Sequence, residues 1–440
     1  MITLFLMVFL GFSGTSFAYN TLADAVGDSS FYQPLVFAGD HVISYGTGGL
    51  SFRDVGTDKV VVHEASASWR MTKVGKKLVD CHNVTGDTKS RIRIFSVAGE
   101  LEIEHVVPFL CQISHTWGRI LPVVIENTII GPVFRAPPER FLDFELIGFL
   151  TVNVDTGSYS FREVLHEVGY DARCFRAIGS SLMAHVQVAP GVGNVEGIRP
   201  TLYDHVRGIT LTGEVVKGED MISSFENKGH WFLRSYIRDP NLEDFELSYI
   251  FDDQMKLRKT LPTVAADYDD NYASVIATDW GWIYLNKGVM RTMTLDGVDL
   301  AEMKQNETGF FAVDEAQGPN SLRHNDLGGN FATFKRSIGS ECFDKLVLMD
   351  SLLRAVKERV LPCVGQKSNP KALHVTSKGT ILSGDENGLF ILDKNLEEIW
   401  RQDIPSVFGG ITMLENELGD LVVRYYKVSD KKIHEMTVLY

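Results

Sequence analysis

The chain has 440 residues, 44% of them apolar and 23% charged, with 43 Lys and Arg against 57 Asp and Glu for a formal net charge of −14. That balance excludes a disordered chain, since a core can be built throughout. It also disfavours a nucleic-acid partner, which needs clustered Lys and Arg to displace counterions from phosphate. The length suits two to four ordinary domains or one closed repeat array.

Residues 1–18 stand apart. Ile2 to Phe12 is an apolar run of signal-peptide length, too short to span a bilayer comfortably, and Ser16-Phe17-Ala18 places small residues where a signal peptidase reads them. Cleavage is expected after Ala18, leaving 19–440 as a single secreted, extracellular or periplasmic domain. No Lys or Arg precedes the run, so an uncleaved anchor is the alternative. No later stretch is apolar for long enough to span a membrane, so none is expected once the leader is removed.

From Val42 onward the apolar pattern repeats every second residue, in short runs broken by Asp, Gly and Asn, the signature of antiparallel strands and hairpins. Eight turns of one kind follow in order: Asp54 to Gly56, Ala98-Gly99, Asp155 to Gly157, Asp204, Asp252-Asp253, Asp296-Gly297, Asp350 and Asp393. Asp accepts nearby amides and Gly takes positive φ, both of which tight hairpins need. Their mean spacing of about 48 residues falls within the range for four-stranded propeller blades. The run 346–360 also shows helical spacing, but its match to the last repeat favours strands.

An apolar-Pro-x-apolar motif recurs at Val107-Pro108-Phe109-Leu110, Leu261-Pro262-Thr263-Val264, Leu361-Pro362-Cys363-Val364 and Ile404-Pro405-Ser406-Val407. Proline lacks an amide, so it suits the end of a blade's outer strand, where a ladder bond can be spared. The Pro34 to Gly39 segment echoes Pro405 to Gly410, which favours a closed ring. The expected fold is therefore an all-β single propeller of eight blades, with seven the alternative. N- and C-terminal strands would close it, with the last strands completing the first blade. Two tandem β-sandwiches would require a linker, and none is evident.

Leu392-Asp393 with Trp400-Arg401, together with Asp155-Thr156-Gly157, resembles the quinoprotein-like propeller repeat, in which a Leu-Asp turn precedes a docking Trp. That resemblance implies the fold. It does not select an activity, because such propellers include cofactor-dependent dehydrogenases and cofactor-free envelope scaffolds.

Motifs for catalysis are missing: there is no Gly-x-Ser-x-Gly, His-Glu-x-x-His, Gly-Lys-Ser/Thr or Cys-x-x-Cys. Asp267, Asp269 and Asn271 alternate as calcium oxygen ligands do, although Tyr272 stands where such a loop needs Gly. Calcium is the one cofactor these residues suggest; otherwise none is expected. Trp280 and Trp282 could dock blades or stack on a ligand. The loop holding Arg323, His324 and Asp326 is the most polar insertion between strands. Cys81 with Cys111 and Cys342 with Cys363 are candidate disulfides, free buried thiols being the alternative. Asn83 and Asn306 begin glycosylation sequons. The function expected is a binding or scaffold module presenting blade-end loops to a protein, peptide or glycan. The alternative is a propeller hydrolase or oxidoreductase with polar residues converging at the channel mouth.

Overall fold

The computed structural model describes residues 20–21, 33–46, 49–63, 71–84, 89–111, 123–135, 145–163, 170–178, 181–188, 197–204, 208–218, 220–237, 245–261, 264–265, 274–286, 289–304, 310–311, 327, 329–336, 343–361, 372–376, 378–385, 388–403, 408–427 and 432–438. Among these residues the strands form nine antiparallel sheets, each a blade of four strands in radial order, two of them with an extra two-residue strand. Blade 1 runs through Gln33–Ala38, His41–Gly46, Gly49–Asp54 and Val60–His63, and blade 2 through Thr72–Val74, Lys77–Asn83, Ser90–Ser96 and Leu101–Val107. Blade 3 comprises Val123–Ile125, Thr128–Arg135, Glu145–Asn153 and Tyr159–Glu163. Blades 4 to 8 begin at Tyr170–Ile178, Asp220–Asn227, Ser274–Thr278, Phe310–Phe311 and Ala372–Val375. First strands approach one another between blades 9 and 1, 1 and 2, 4 and 5, and 5 and 6, so first strands face the axis and fourth strands form the rim.

The ninth blade corrects the expected count of eight or seven. It contains Phe408–Glu415, Leu421–Lys427 and Lys432–Val438, and its outer strand is the N-terminal Asn20–Thr21, paired with Met436 and Thr437. The eight turns read from the sequence belong to the third-to-fourth-strand hairpins of blades 1 to 8. Blade 9 has no such hairpin, because a distant part of the chain supplies its rim strand. The N-terminal strand thus completes the last blade, the reverse of the expected closure.

Closure is sealed at the seam between blades 9 and 1. Phe37, Val42 and Val422 are buried together there, with Val55 and Leu414 against them. Asn416 Nδ2 donates to Gly39 O at 3.2 Å and Arg424 Nη2 donates to Ser44 Oγ at 2.9 Å, while Lys73 of blade 2 reaches past blade 1 to pair with Glu417 of blade 9. Burial lowers the Arg424 guanidinium to a pKa of about 10, with repulsion from Arg53 adding to the shift.

Apolar clusters fill the spaces between blades because each sheet has two faces to cover. Val79, Cys81, Ile92 and Ile94 of blade 2 meet Ile129, Leu150 and Val152 of blade 3. Trp400 lies between blades 8 and 9 with Leu382, Ile391 and Val423. The hairpins supply one recurring contact with the preceding blade. In blades 5, 7 and 8 the fourth turn residue has positive φ yet is Met255, Leu353 or Leu396, each buried. At the matching site of blades 2, 3 and 6, a Cβ on Gly99, Gly157 or Gly297 would come within 2.7 Å of Phe52, 2.7 Å of Ile103 or 2.8 Å of Ile250. The slot is filled once, from one side or the other. Where the preceding blade fills it, only glycine fits.

The turn aspartates fix these hairpins. Asp252, Asp350 and Asp393 each accept two amides through Oδ1, two and four residues on. Asp54 accepts from Gly56 and Thr57, both at 2.8 Å.

Candidate functional site

The rim between blades 2 and 3 brings together four rings that remain accessible. In blade 3, the hairpin after Asn153 is locked by Asn153 Oδ1, which accepts from the amides of Asp155 and Thr156, and Gly157 takes the positive φ that completes it. The chain then returns as Tyr159–Glu163, an outer strand whose five residues are all exposed. Strand alternation puts Tyr159 and Phe161 on one face, and their partners show that this face looks toward blade 2. Tyr159 lies 5.3 Å from the His105 ring, while Phe161 stacks on Phe109 at 4.6 Å with 28° between the planes.

Both aromatic residues keep part of their surface open, Tyr159 at 43% and Phe161 at 37% exposed. On the other face, Arg162 Nη2 donates to Gly208 O of blade 4 at 3.1 Å, which holds that side of the strand. The groove between the two rims is thus bridged by these paired rings, whose exposed parts form its surface, with Ile103 packed beside them against the blade 2 and 3 core.

Its blade 2 wall is anchored by a covalent link. Phe109 follows Pro108, the first proline end-stop, where the chain leaves the outer strand Leu101–Val107. Leu110 exchanges two backbone hydrogen bonds with Phe134 at 2.9 and 2.8 Å, and the Cys111 amide donates to Ser90 Oγ at 3.0 Å. A disulfide joins Cys111 to Cys81, with both residues fully buried. Phe109 is therefore held in position before any ligand arrives.

A second polar group lies inside blade 2. Asp80 is fully buried and Arg93 nearly so; Arg93 Nε donates to Asp80 Oδ2 at 3.0 Å, and His82 Nδ1 lies 3.2 Å from the same oxygen. Among the described residues, Asp80 Oδ1 has no hydrogen-bond partner. The guanidinium occupies the carboxylate's charge, so this group reads as an internal pair. A comparable pair in blade 5, Arg234 with Glu246, is bidentate at 2.7 and 2.9 Å and buried. Among the described residues no set of three or more His, Cys, Asp or Glu side chains is placed to hold a metal ion. No helix among them is long and apolar enough to cross a membrane.

The residues singled out from sequence fall in several places. Trp282 is fully buried in blade 6 against Phe232 of blade 5, and its Nε1 donates to Leu295 O at 3.0 Å. Trp280 packs on the blade 6 and 7 cluster and donates to Gly329 O at 2.9 Å. Asp267, Asp269, Asn271, Asn306, Arg323, His324, Asp326, Cys342, Cys363 and residues 1–18 lie outside the described residues. Asn83 ends the strand Lys77–Asn83. The groove residues His105, Phe109, Tyr159 and Phe161 were not singled out from sequence as binding residues. The available signal was Tyr159 and Phe161 at alternate positions after a recognised hairpin, with Phe109 inside a proline end-stop.

No protein-family model matches the chain, and no curated protein matches it. Among solved structures it is similar to the crystal structure of a eukaryotic initiation factor, with 11% identity over 90% of this chain and 96% of that one and a TM-score of 0.42. It is also similar to the β-propeller domain of the Trilobed protease from Pyrococcus furiosus, with 11% identity over 72% and 91% of the two chains and a TM-score of 0.35. Streptogramin B lyase is a third, at 12% identity, 72% and 92% coverage and a TM-score of 0.31. These are likenesses of chain course; the propeller assignment rests on the nine sheets themselves.

Proposed function

We propose that this propeller is an exported binding module whose contact surface is the aromatic groove at the rim of blades 2 and 3, and that its ligand is a segment of a protein. The observation that carries the reading is the exposure of Tyr159 and Phe161 on a rigid wall, with Phe109 fixed behind them by the disulfide. Rings held in place lose little entropy on contact and offer a large apolar area, which is why aromatics dominate binding surfaces. Export is supported by the apolar run Ile2 to Phe12 followed by small residues, and by the buried disulfide, which persists best in an oxidising compartment.

A peptide fits the groove better than a glycan does. Sugars take flat rings flanked by convergent polar groups, whereas here the neighbouring feature is a bare strand edge. The test is to probe an array of random 12-residue peptides and an array of oligosaccharides with the full chain and with Tyr159→Ala/Phe161→Ala. Peptide signals that disappear in the double variant are expected. Glycan signals alone, or equal peptide signals from both proteins, would refute the reading. N-terminal sequencing of the protein recovered from its natural compartment, expected to begin at Tyr19, tests the export step.

A further inference from the structure

Among the described residues, each blade ends in a rim strand whose outer backbone groups have no partner within its sheet, and most of these rims are guarded. The outer pairs of blades 2, 5, 6, 7 and 8 each carry a register shift. Their rim strands are also charged and tied down: Glu102 to Lys77, Glu104 to Arg91, Lys259 to Asp299, Glu302 to Arg291, Glu358 to Lys345, and Glu398 to Arg359. Bulges and charges are the usual means of keeping a free edge from pairing with another chain. Among the described residues, blades 1, 3 and 4 have neither register shift in the outer pair nor such a charge ladder. Of these, the rims of blades 1 and 4, Val60–His63 and Ile209–Thr212, are four residues long, and their one ring, His63, packs on Phe52 and Phe95; Tyr159–Glu163 has five, all exposed, with two aromatic side chains on one face.

The phase of the blade 3 ladder shows which groups that edge offers. Asn153 N donates to Ser158 O at 2.8 Å, and Thr151 and Phe149 lie opposite Ser160 and Arg162. In an antiparallel pair every second residue turns its N–H and C=O to the partner strand. Ser158, Ser160 and Arg162 therefore face inward, and Tyr159, Phe161 and Glu163 direct their backbone groups outward. The residues with outward backbone groups are the ones whose side chains line the groove wall. A strand laid along this edge would gain hydrogen bonds to three residues, with alternate side chains falling on the two rings.

Charge selects among possible strands. Asp155 in the hairpin and Glu163 at the far end place exposed carboxylates at both ends of the edge, and the whole chain carries −14. Arg162 is drawn to the blade 4 side by Gly208 O. A second copy of this chain would bring like charge, whereas a basic segment would be attracted.

We infer that the edge Tyr159–Glu163 binds an extended, Lys- or Arg-bearing peptide as a fifth strand of blade 3, with Tyr159 and Phe161 contacting its apolar side chains. This rests on the groove being the binding surface. The test uses the full chain and three 11-residue synthetic peptides: alternating valine and lysine, alternating valine and glutamate, and the valine-lysine sequence with proline at every third position. The valine-lysine peptide is expected to bind at least tenfold more tightly than the other two. Amide exchange at Tyr159, Phe161 and Glu163 should slow at least tenfold on binding, with Ser160 and Arg162 changing little. Phe161→Ala removes the ring alone, while Phe161→Pro also removes an outward amide that the blade's own ladder does not use. The proline variant should bind at least tenfold more weakly than the alanine variant at an unchanged melting temperature. If it unfolds, the exchange pattern of the unmutated chain decides. Binding without slowed exchange at those three amides, or equal affinity for the glutamate peptide, overturns strand addition while leaving the groove in place. Binding of the valine-lysine peptide that Tyr159→Ala/Phe161→Ala does not weaken removes the groove as well. Dimerisation of the unmutated chain that Phe161→Pro abolishes would assign the edge to a second copy and also overturn the proposal.

Discussion

Replacing Cys81 and Cys111 together by alanine should both destabilise the propeller and weaken ligand binding at the rim. The bridge spans a sequence separation of 30 residues and closes a loop that includes the last two strands of blade 2. Closing a loop of that length removes conformational freedom from the unfolded chain, an entropic effect of roughly 3 to 4 kcal/mol at room temperature. Without it, the segment carrying Phe109 is held by the Leu110 and Phe134 backbone pair and the Cys111 amide, each hydrogen bond contributing about 1 kcal/mol. Urea unfolding should show a lower midpoint, and hydrogen exchange should rise at 108–111 before the blades themselves open. Affinity for the valine-lysine peptide should fall about threefold to tenfold, because Phe161 loses a fixed stacking partner. An unchanged midpoint, unchanged exchange at 108–111 and unchanged affinity would refute the idea that the disulfide holds the groove wall.

Three further outcomes follow from the blade contacts. At Leu396, buried yet at positive φ, alanine should cost about 2 to 5 kcal/mol by leaving a cavity, and glycine should be no worse than alanine because it removes the backbone strain; thermal melts of both variants check this order. Glu246→Leu should destabilise blade 5 by about 3 to 5 kcal/mol by removing the bidentate partner of buried Arg234, and Arg234→Met/Glu246→Leu should recover most of that in denaturant titrations. Acid should weaken the fold through its hairpins. Amide hydrogen bonds, that from Thr57 foremost, lower the Asp54 carboxyl; burial opposes the shift at Asp252, Asp350 and Asp393, but hydrogen bonds and the neighbouring cations outweigh it. Depressed folded values mean that this stability is complete above about pH 4 and is lost as pH falls through the folded values. Unfolding measured from pH 5 to 2 should therefore lose stability less steeply in Asp350→Asn/Asp393→Asn than in the unmutated chain.

Much of the fold was legible because its repeat is written in short-range chemistry. The hairpin residues Asp54, Asp252, Asp350 and Asp393 act locally, and the proline after Val107 does follow an outer strand. The run 346–360 forms strands, Phe343–Met349 and Ala355–Val360, despite its helical spacing, because Val347 and Met349 pack toward blade 6 and Leu346 and Leu348 toward blade 8. The ninth blade was not legible: its only rim strand is Asn20–Thr21, two residues with no hairpin, paired with a partner more than 400 positions away. The groove was hidden for a related reason. Tyr159 and Phe161 look like any alternating pair until His105 and Phe109, some 50 residues back, pack on them and leave each only partly exposed. Trp280 and Trp282 stand out by residue type, and the structure commits both indole N–H groups to backbone carbonyls.

The most direct test of the account is the affinity of the valine-lysine peptide for the unmutated chain and for Tyr159→Ala/Phe161→Ala, measured by fluorescence polarisation at physiological salt. A loss of at least tenfold is expected in the double variant with no change in melting temperature. Equal affinity for the two proteins would contradict it.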